Sequence, residues 1–143
     1  MKNKLLWSIF WALVGVFVIA VSTMFIPPIG MLLGRFSGFA AWPVIAGLGV
    51  TLLVLTMRAK VGGMLKKFFL LSGASAVGLP VFAVLHNLVY ALFILWFGEG
   101  FWGAGGDEPF FFIMATMICP VAFLVGAIGS IVLGVRKSPS RRR

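Results

Sequence analysis

The sequence predicts an all-α integral membrane protein, with four transmembrane helices in an up-down bundle. Two observations lead to this fold class. Hydrophobic residues make up 62% of the 143 residues and charged residues only 10%, whereas soluble domains carry about a quarter charged residues. The chain also contains four uncharged runs of the roughly 20 residues that cross a hydrocarbon core. Strands would leave backbone groups unpaired in lipid, so each run is predicted to be a helix.

The four runs define the predicted domain organisation. They are residues 5–26, 37–57, 68–97 and 110–135. Residues 1–135 are therefore expected to form a single transmembrane domain, and residues 136–143 a basic cytoplasmic tail. The connections between the runs are too short to hold a separate soluble domain.

The first run has a second interpretation, as a signal peptide that is cleaved. Lys2 and Lys4 give it a basic start, and Ala20 and Ser22 have the spacing of small residues that a signal peptidase accepts. Its apolar stretch is longer than the usual length of about 7 to 15 residues, however, and continues to Ile26. We therefore expect a retained span; cleavage would leave three spans in the same orientation.

The distribution of basic residues predicts which ends of the helices face the cytoplasm. Of the 12 lysines and arginines, all but Arg35 lie at the amino end, in residues 58–67 or in the tail, and the three acids lie in the third connection. Because cytoplasmic segments carry an excess of lysine and arginine, both termini are expected in the cytoplasm. The predicted location is the cytoplasmic (inner) membrane, with several passes.

The composition argues against nucleic-acid binding, against a zinc site and against a haem site within one chain. The net charge of +9 does not indicate nucleic-acid binding, because the basic residues flank the spans instead of clustering on a folded module; the tail is expected to contact anionic headgroups. The single Cys119 excludes an internal disulfide and a multi-cysteine zinc site. The single His86 cannot supply both axial ligands of a haem within one chain, although a symmetric dimer could offer it twice. We expect no cofactor.

The third and fourth runs hold a candidate intramembrane polar cluster. Its members are His86, Asn87, Tyr90, Thr116 and Cys119. At 1.5 Å per residue, His86 lies about 16 Å, and Cys119 about 14 Å, from the outer end of its run, so an antiparallel hairpin would bring them level. Pro120 lacks an N–H and frees the carbonyl of Thr116, which the polar side chains of the third run are placed to bond.

The cluster has three open interpretations. Its side chains can satisfy the proline-broken helix and lock the hairpin, at about 0.6 kcal/mol for each hydrogen bond. Alternatively, His86 relays protons or contacts a ligand, since ionisable residues inside a membrane are functional candidates. A third possibility is a site completed by a partner protein. No run contains a charged residue, so no carboxylate is expected at the depth of His86, and we expect no enzyme.

The acidic loop of the third connection is a second candidate site. Asp107 precedes Glu108 and Pro109 and is predicted to cap the helix that follows, since acids are favourable at the amino end of a helix. The alternative is a weak cation site formed by Glu99, Asp107 and Glu108.

Small residues predict the faces on which the helices touch, because they let backbones approach closely in lipid. In the fourth run this stripe is Ala115, Cys119, Ala122, Gly126 and Gly129. In the third run a matching stripe is Gly73, Ala76, Pro80, Ala83, Asn87 and Tyr90. We expect another helix against each stripe.

Two functions from different classes follow. The preferred one is a structural or accessory protein that anchors or stabilises a larger membrane complex, with lipid and other membrane subunits or further copies of itself as partners. The alternative is a small oligomeric channel or transporter with a polar path at His86, Asn87 and Tyr90. A packed, hydrogen-bonded His86 favours the first function, and a water-filled cavity around it favours the second.

Overall fold

The computed structural model describes residues 2–25, 36–103 and 106–136, and within these ranges the chain is entirely helical, without a strand. The helices are α1 (Lys2–Phe25), α2 (Phe36–Arg58), α3 (Gly63–Phe97) and α4 (Pro109–Arg136). The predicted all-α class is confirmed. The first connection, with Arg35, and the basic tail beyond Arg136 lie outside the described residues.

Three of the helices are long and apolar enough to cross a membrane. These segments are Ala41–Arg58, Gly63–Phe97 and Pro109–Arg136, and α1 contributes a shorter apolar helix, Lys4–Ala20. Large apolar side chains cover the outside of the bundle; Val84 and Ile128, for example, are 65% and 59% exposed. Such a surface suits hydrocarbon, and the three segments indicate a membrane protein.

α3 lies between α2 and α4 and packs against both. Gly73 of α3 meets Gly49 of α2, and Ser72 meets Gly126 of α4. Both contacts are antiparallel, because the carboxyl half of α2 and of α4 faces the amino half of α3.

α1 closes the bundle with aromatic contacts. The ring centroids of Trp7 and Phe69 of α3 are 5.1 Å apart, and those of Phe17 and Phe123 of α4 are 4.0 Å apart. The start of α1 therefore lies beside the start of α3 and the end of α4. We name this end of the bundle the basic end, after Arg58, Lys60, Lys66, Lys67 and Arg136, and the opposite end, with the acids, the acidic end.

The small-residue stripe predicted for α4 is confirmed as a helix contact. A Cβ atom added to Gly126 would lie 2.5 Å from the Ser72 Oγ, 2.8 Å from the Ser72 N and 2.9 Å from the Phe68 carbonyl oxygen. No side chain fits between the two backbones at this point.

The stripe predicted for α3 contacts another helix over only part of its length. Gly73 and Ala76 are buried and face Gly49 of α2, whereas Asn87 at the other end of the stripe is exposed. The buried residues of α3 all lie between Leu65 and Ala76. The second half of α3 therefore belongs to a thinner part of the bundle.

Pro120 is accommodated by a local widening of α4. Residues Met114–Ile118 form a π-helical turn, and the Cys119 N–H donates to the carbonyl of Met114, five residues earlier. A proline in a helix removes one donor and crowds the carbonyl four residues before it. The wider turn lies on the amino-terminal side of Pro120, where this crowding falls.

Replacement of Gly126 by alanine should destabilise the bundle. The added Cβ meets backbone atoms of α3 that cannot rotate away, and overpacking of this kind costs about 1 to 3 kcal/mol. Gly47→Ala is the matched control, since nothing lies within 4 Å of a Cβ at that helical position. Unfolding free energies in detergent micelles measure both changes; equal stability of the two variants would contradict the close contact.

Candidate functional site: the His86 clasp

His86 of α3 is held by two acidic residues at the start of α4. Its Nδ1 lies 3.0 Å from the carbonyl oxygen of Glu108 and 3.3 Å from the Glu108 Oε2. Its Nε2 lies 3.5 Å from the Oδ2 of Asp107. The histidine side chain is only 15% exposed and that of Glu108 only 6%. We name these three residues the His86 clasp.

Glu108 is in this position because it caps α4. Its carboxylate accepts hydrogen bonds from the N–H groups of Phe110 and Phe111, both at 2.9 Å. Pro109 occupies the first helical position, where the missing N–H of proline costs nothing. The cap therefore falls on the residue before the proline.

The sequence-based assignment of the cap to Asp107 was wrong by one residue. Asp107 instead accepts a hydrogen bond of 2.8 Å from the Glu108 N–H through its Oδ1. Its other carboxylate oxygen turns towards His86. Glutamate is not a preferred capping residue, but the fixed position of Pro109 decides which residue takes the role.

The expectation that His86 has no carboxylate at its depth was also wrong. α3 has 35 residues and α4 has 28, and α4 begins level with His86 instead of level with Phe97. The last eleven residues of α3 extend about 16 Å past this level. The prediction measured the depth of each residue from the outer end of its run, and it therefore placed His86 level with Cys119.

Three acceptor oxygens surround the imidazole ring of His86. They belong to the Glu108 carbonyl, the Glu108 carboxylate and the Asp107 carboxylate, and each ring nitrogen faces at least one of them. The Glu108 carboxylate also lies at the amino end of α4, where the positive end of the helix dipole favours an anion.

The connection after α3 folds back and brings the acids to His86. α3 ends at Phe97, and the capping residue Gly98 has a φ of +86° that is accessible to glycine. The Trp102 ring stacks on Tyr90 with centroids 6.1 Å apart, and its Nε1 lies 3.5 Å from the Tyr90 carbonyl oxygen. Phe93 contacts Trp102 at 5.4 Å. This aromatic packing sets the path of the chain towards Asp107.

The other predicted cluster residues do not share the contacts between His86 and the acids. The Asn87 amide donates to the Ala83 carbonyl at 2.8 Å, and the Thr116 hydroxyl donates to the Phe112 carbonyl at 2.7 Å, each within its own helix. Cys119 is buried and its Sγ faces Gly78 of α3. The contact between Glu108 and His86 thus holds the hairpin together, while Thr116 and Cys119 lie further along α4, towards the basic end.

The three acids of the predicted acidic loop do not all lie at one place. Glu99 is exposed in the turn after α3, while Asp107 and Glu108 face His86. Within the described residues, no group of three or more histidine, cysteine, aspartate or glutamate side chains is arranged to hold a metal ion. The arrangement is suited to holding two helices together by charge and hydrogen bonds.

Comparisons with protein-family models, with curated proteins and with solved structures find no match to this chain. The fold and the clasp define a helical membrane protein in which the one histidine is bonded to the acids that begin the next helix. What the protein does must follow from these features.

The coupling between His86 and Glu108 should be measurable as non-additivity. His86→Ala and Glu108→Gln each remove the charge-assisted contact, while the glutamine retains an oxygen for the helix cap. We expect a coupling free energy of roughly 1 kcal/mol between the two changes, as for other residues in direct contact. Unfolding free energies of the wild type, both single variants and the double variant provide the measurement.

A parallel cycle with Glu99→Gln serves as the control. Glu99 carries the same charge near the same end of the bundle but is exposed in the turn after α3. His86→Ala and Glu99→Gln should therefore be additive. Equal coupling in the two cycles would mean that general electrostatics, and not the clasp, accounts for the effect.

Proposed function

We propose that the chain is a small polytopic membrane protein with a structural or accessory role, which anchors or stabilises a larger membrane complex. The observation that supports this function is the position of His86. Its ring is packed and hydrogen-bonded to Glu108, so its polar atoms help to hold α3 and α4 together. We assign no catalytic step to the protein.

A channel or transporter has less support from the same geometry. A conducting path needs polar groups that face water, and the side chains of Asn87 and Thr116 are bonded to their own helices. A cavity in the described part of the chain lies at the basic end, beside Trp7 and Lys60. It does not reach His86, Asn87 or Tyr90.

The tip of α3 is the surface that we propose for the partner. Beyond His86 the helix extends past the start of α4, and Leu95, Trp96 and Phe97 are 78%, 70% and 61% exposed. Exposed aromatic and aliphatic side chains of this kind are typical of contacts with another protein or with the membrane interface. A neighbouring membrane subunit would cover this tip.

We further propose four spans, with both termini in the cytoplasm and the protein in the inner membrane. The basic residues of the described part lie at the starts of α1 and α3 and at the ends of α2 and α4. The acids lie at the opposite end of the bundle. An excess of lysine and arginine on the cytoplasmic side is the usual arrangement.

The accessory role predicts recovery with a partner. Gentle detergent extraction of the tagged chain from its native membrane, followed by native mass measurement, should give a stoichiometric complex with at least one other membrane subunit. Replacement of Leu95 and Trp96 by alanine should reduce the recovered partner several-fold. Val84→Ala is the control, since Val84 is 65% exposed on the same helix below His86.

Recovery of the chain alone, as an oligomer of one mass, would contradict the accessory role. The same result would favour the channel or transporter, and ion flux through reconstituted wild-type protein and His86→Ala would then test it.

The proposed orientation predicts which turns are reached from outside the cell. In a Cys119→Ala background, Gly100→Cys should react with an impermeant thiol reagent on intact cells and Gly62→Cys should not. Both glycines are exposed, and nothing lies within 4 Å of a Cβ at either position. Both should react after permeabilisation, and labelling of Gly62→Cys alone on intact cells would reverse the orientation.

A further inference from the structure

A cavity of about 240 Å³ opens at the basic end of the bundle. It lies between the start of α1, the connection from α2 to α3, the start of α3 and the end of α4. Leu6, Leu65 and Phe69 form its apolar wall, and all three are at least 93% buried. Lys60 lines its opening and is exposed. The cavity therefore joins an apolar interior to a positive charge.

Within the described ranges, no aspartate or glutamate lies at the end of the bundle that holds Lys60. All three acids of the sequence, Glu99, Asp107 and Glu108, belong to the connection at the acidic end. Arg58, Lys66 and Lys67 add further positive charge at the same end of the bundle without lining the cavity. An anion from outside the protein is the complementary ligand.

Trp7 places the cavity at the level of the lipid headgroups. Its ring packs on Phe69 and over Gly134, where a side chain would collide with it. Tryptophan favours the membrane interface, where its apolar ring and polar N–H are both accommodated. Since Trp7 and Lys60 line the same cavity, the opening lies where hydrocarbon gives way to charged headgroups.

We propose that this cavity binds the phosphate group of an anionic phospholipid. Lys60 contacts the phosphate, and the first methylene groups of one acyl chain lie against the half-buried Trp7 ring. The volume of about 240 Å³ is below the range of roughly 300 to 1,000 Å³ typical of sites that enclose a drug-sized molecule. The cavity thus holds part of the lipid, and the rest remains in the bilayer.

Basic pockets between transmembrane helices are known to suit anionic headgroups. This site requires only that the chain lies in a membrane and is independent of any partner subunit. Its failure would leave the accessory role untouched, and recovery of the chain without a partner would leave the lipid site untouched.

Native mass spectrometry of the full chain tests the site. The protein is released from detergent containing equal amounts of phosphatidylglycerol and phosphatidylcholine with identical acyl chains, and the retained lipids are counted. We expect one phosphatidylglycerol per chain. Because a basic residue near a headgroup contributes about 1 kcal/mol, Lys60→Gln should lower its retention roughly fivefold, and Lys60→Arg should restore it.

Lys67→Gln is the matched control, because it removes the same charge from an exposed residue at the same end that does not line the cavity. It should retain the lipid as the wild type does. Thermal unfolding of each variant verifies that the bundle is intact.

Three results would overturn the proposed lipid site. Equal losses for Lys60→Gln and Lys67→Gln would indicate diffuse attraction to a basic surface. Equal retention of the two lipids would remove the role of the anion. Displacement of the lipid by millimolar inorganic phosphate would assign the site to free phosphate.

Discussion

Polar groups surrounded by hydrocarbon must find their partners within the protein, and most of this structure depends on that constraint. The side chains of polar residues within the helices donate to carbonyls four residues earlier. These donors are Ser8, Thr51, Ser72, Ser75, Asn87 and Thr116. His86 and Glu108 can each form several hydrogen bonds. They bond to each other, and Glu108 also accepts hydrogen bonds from the N–H groups at the start of α4. Thr56 and Ser130 depart from the rule, being buried hydroxyls without a partner among the described residues.

The same constraint bears on function, because a side chain that bonds within the protein has less capacity left to bind a substrate. His86, Asn87 and Thr116 are all engaged in this way. Two features of the described residues remain available to outside partners. They are the exposed side chains at the tip of α3 and the positive charge around Lys60. The first suits a neighbouring protein or the membrane interface, and the second suits an anionic lipid, so both agree with the proposed accessory role.

The sequence predicts the helices well because long apolar runs have few alternatives in lipid, and the bounds of α2 and α4 differ from expectation by one residue at each end. It predicts the contact of Gly126 because small residues mark the faces on which helices approach closely in lipid. The register between α3 and α4 was missed, since it depends on where the connection folds back onto Tyr90 and not on where the apolar run ends. The role of Glu108 could have been inferred, because Pro109 marks the first position of α4 and so identifies the residue before it as the cap.

The single histidine of the sequence makes its environment directly measurable. Nuclear magnetic resonance of the full chain, with nitrogen-15 in histidine and carbon-13 in glutamate, reports the ring nitrogens and their distances to carboxylate carbons. A packed clasp predicts a ring that is protected from exchange with water and couples to one glutamate carboxylate, with the coupling lost in Glu108→Gln. A ring that exchanges freely with water and couples to no glutamate would contradict the internal pairing on which the proposed function rests.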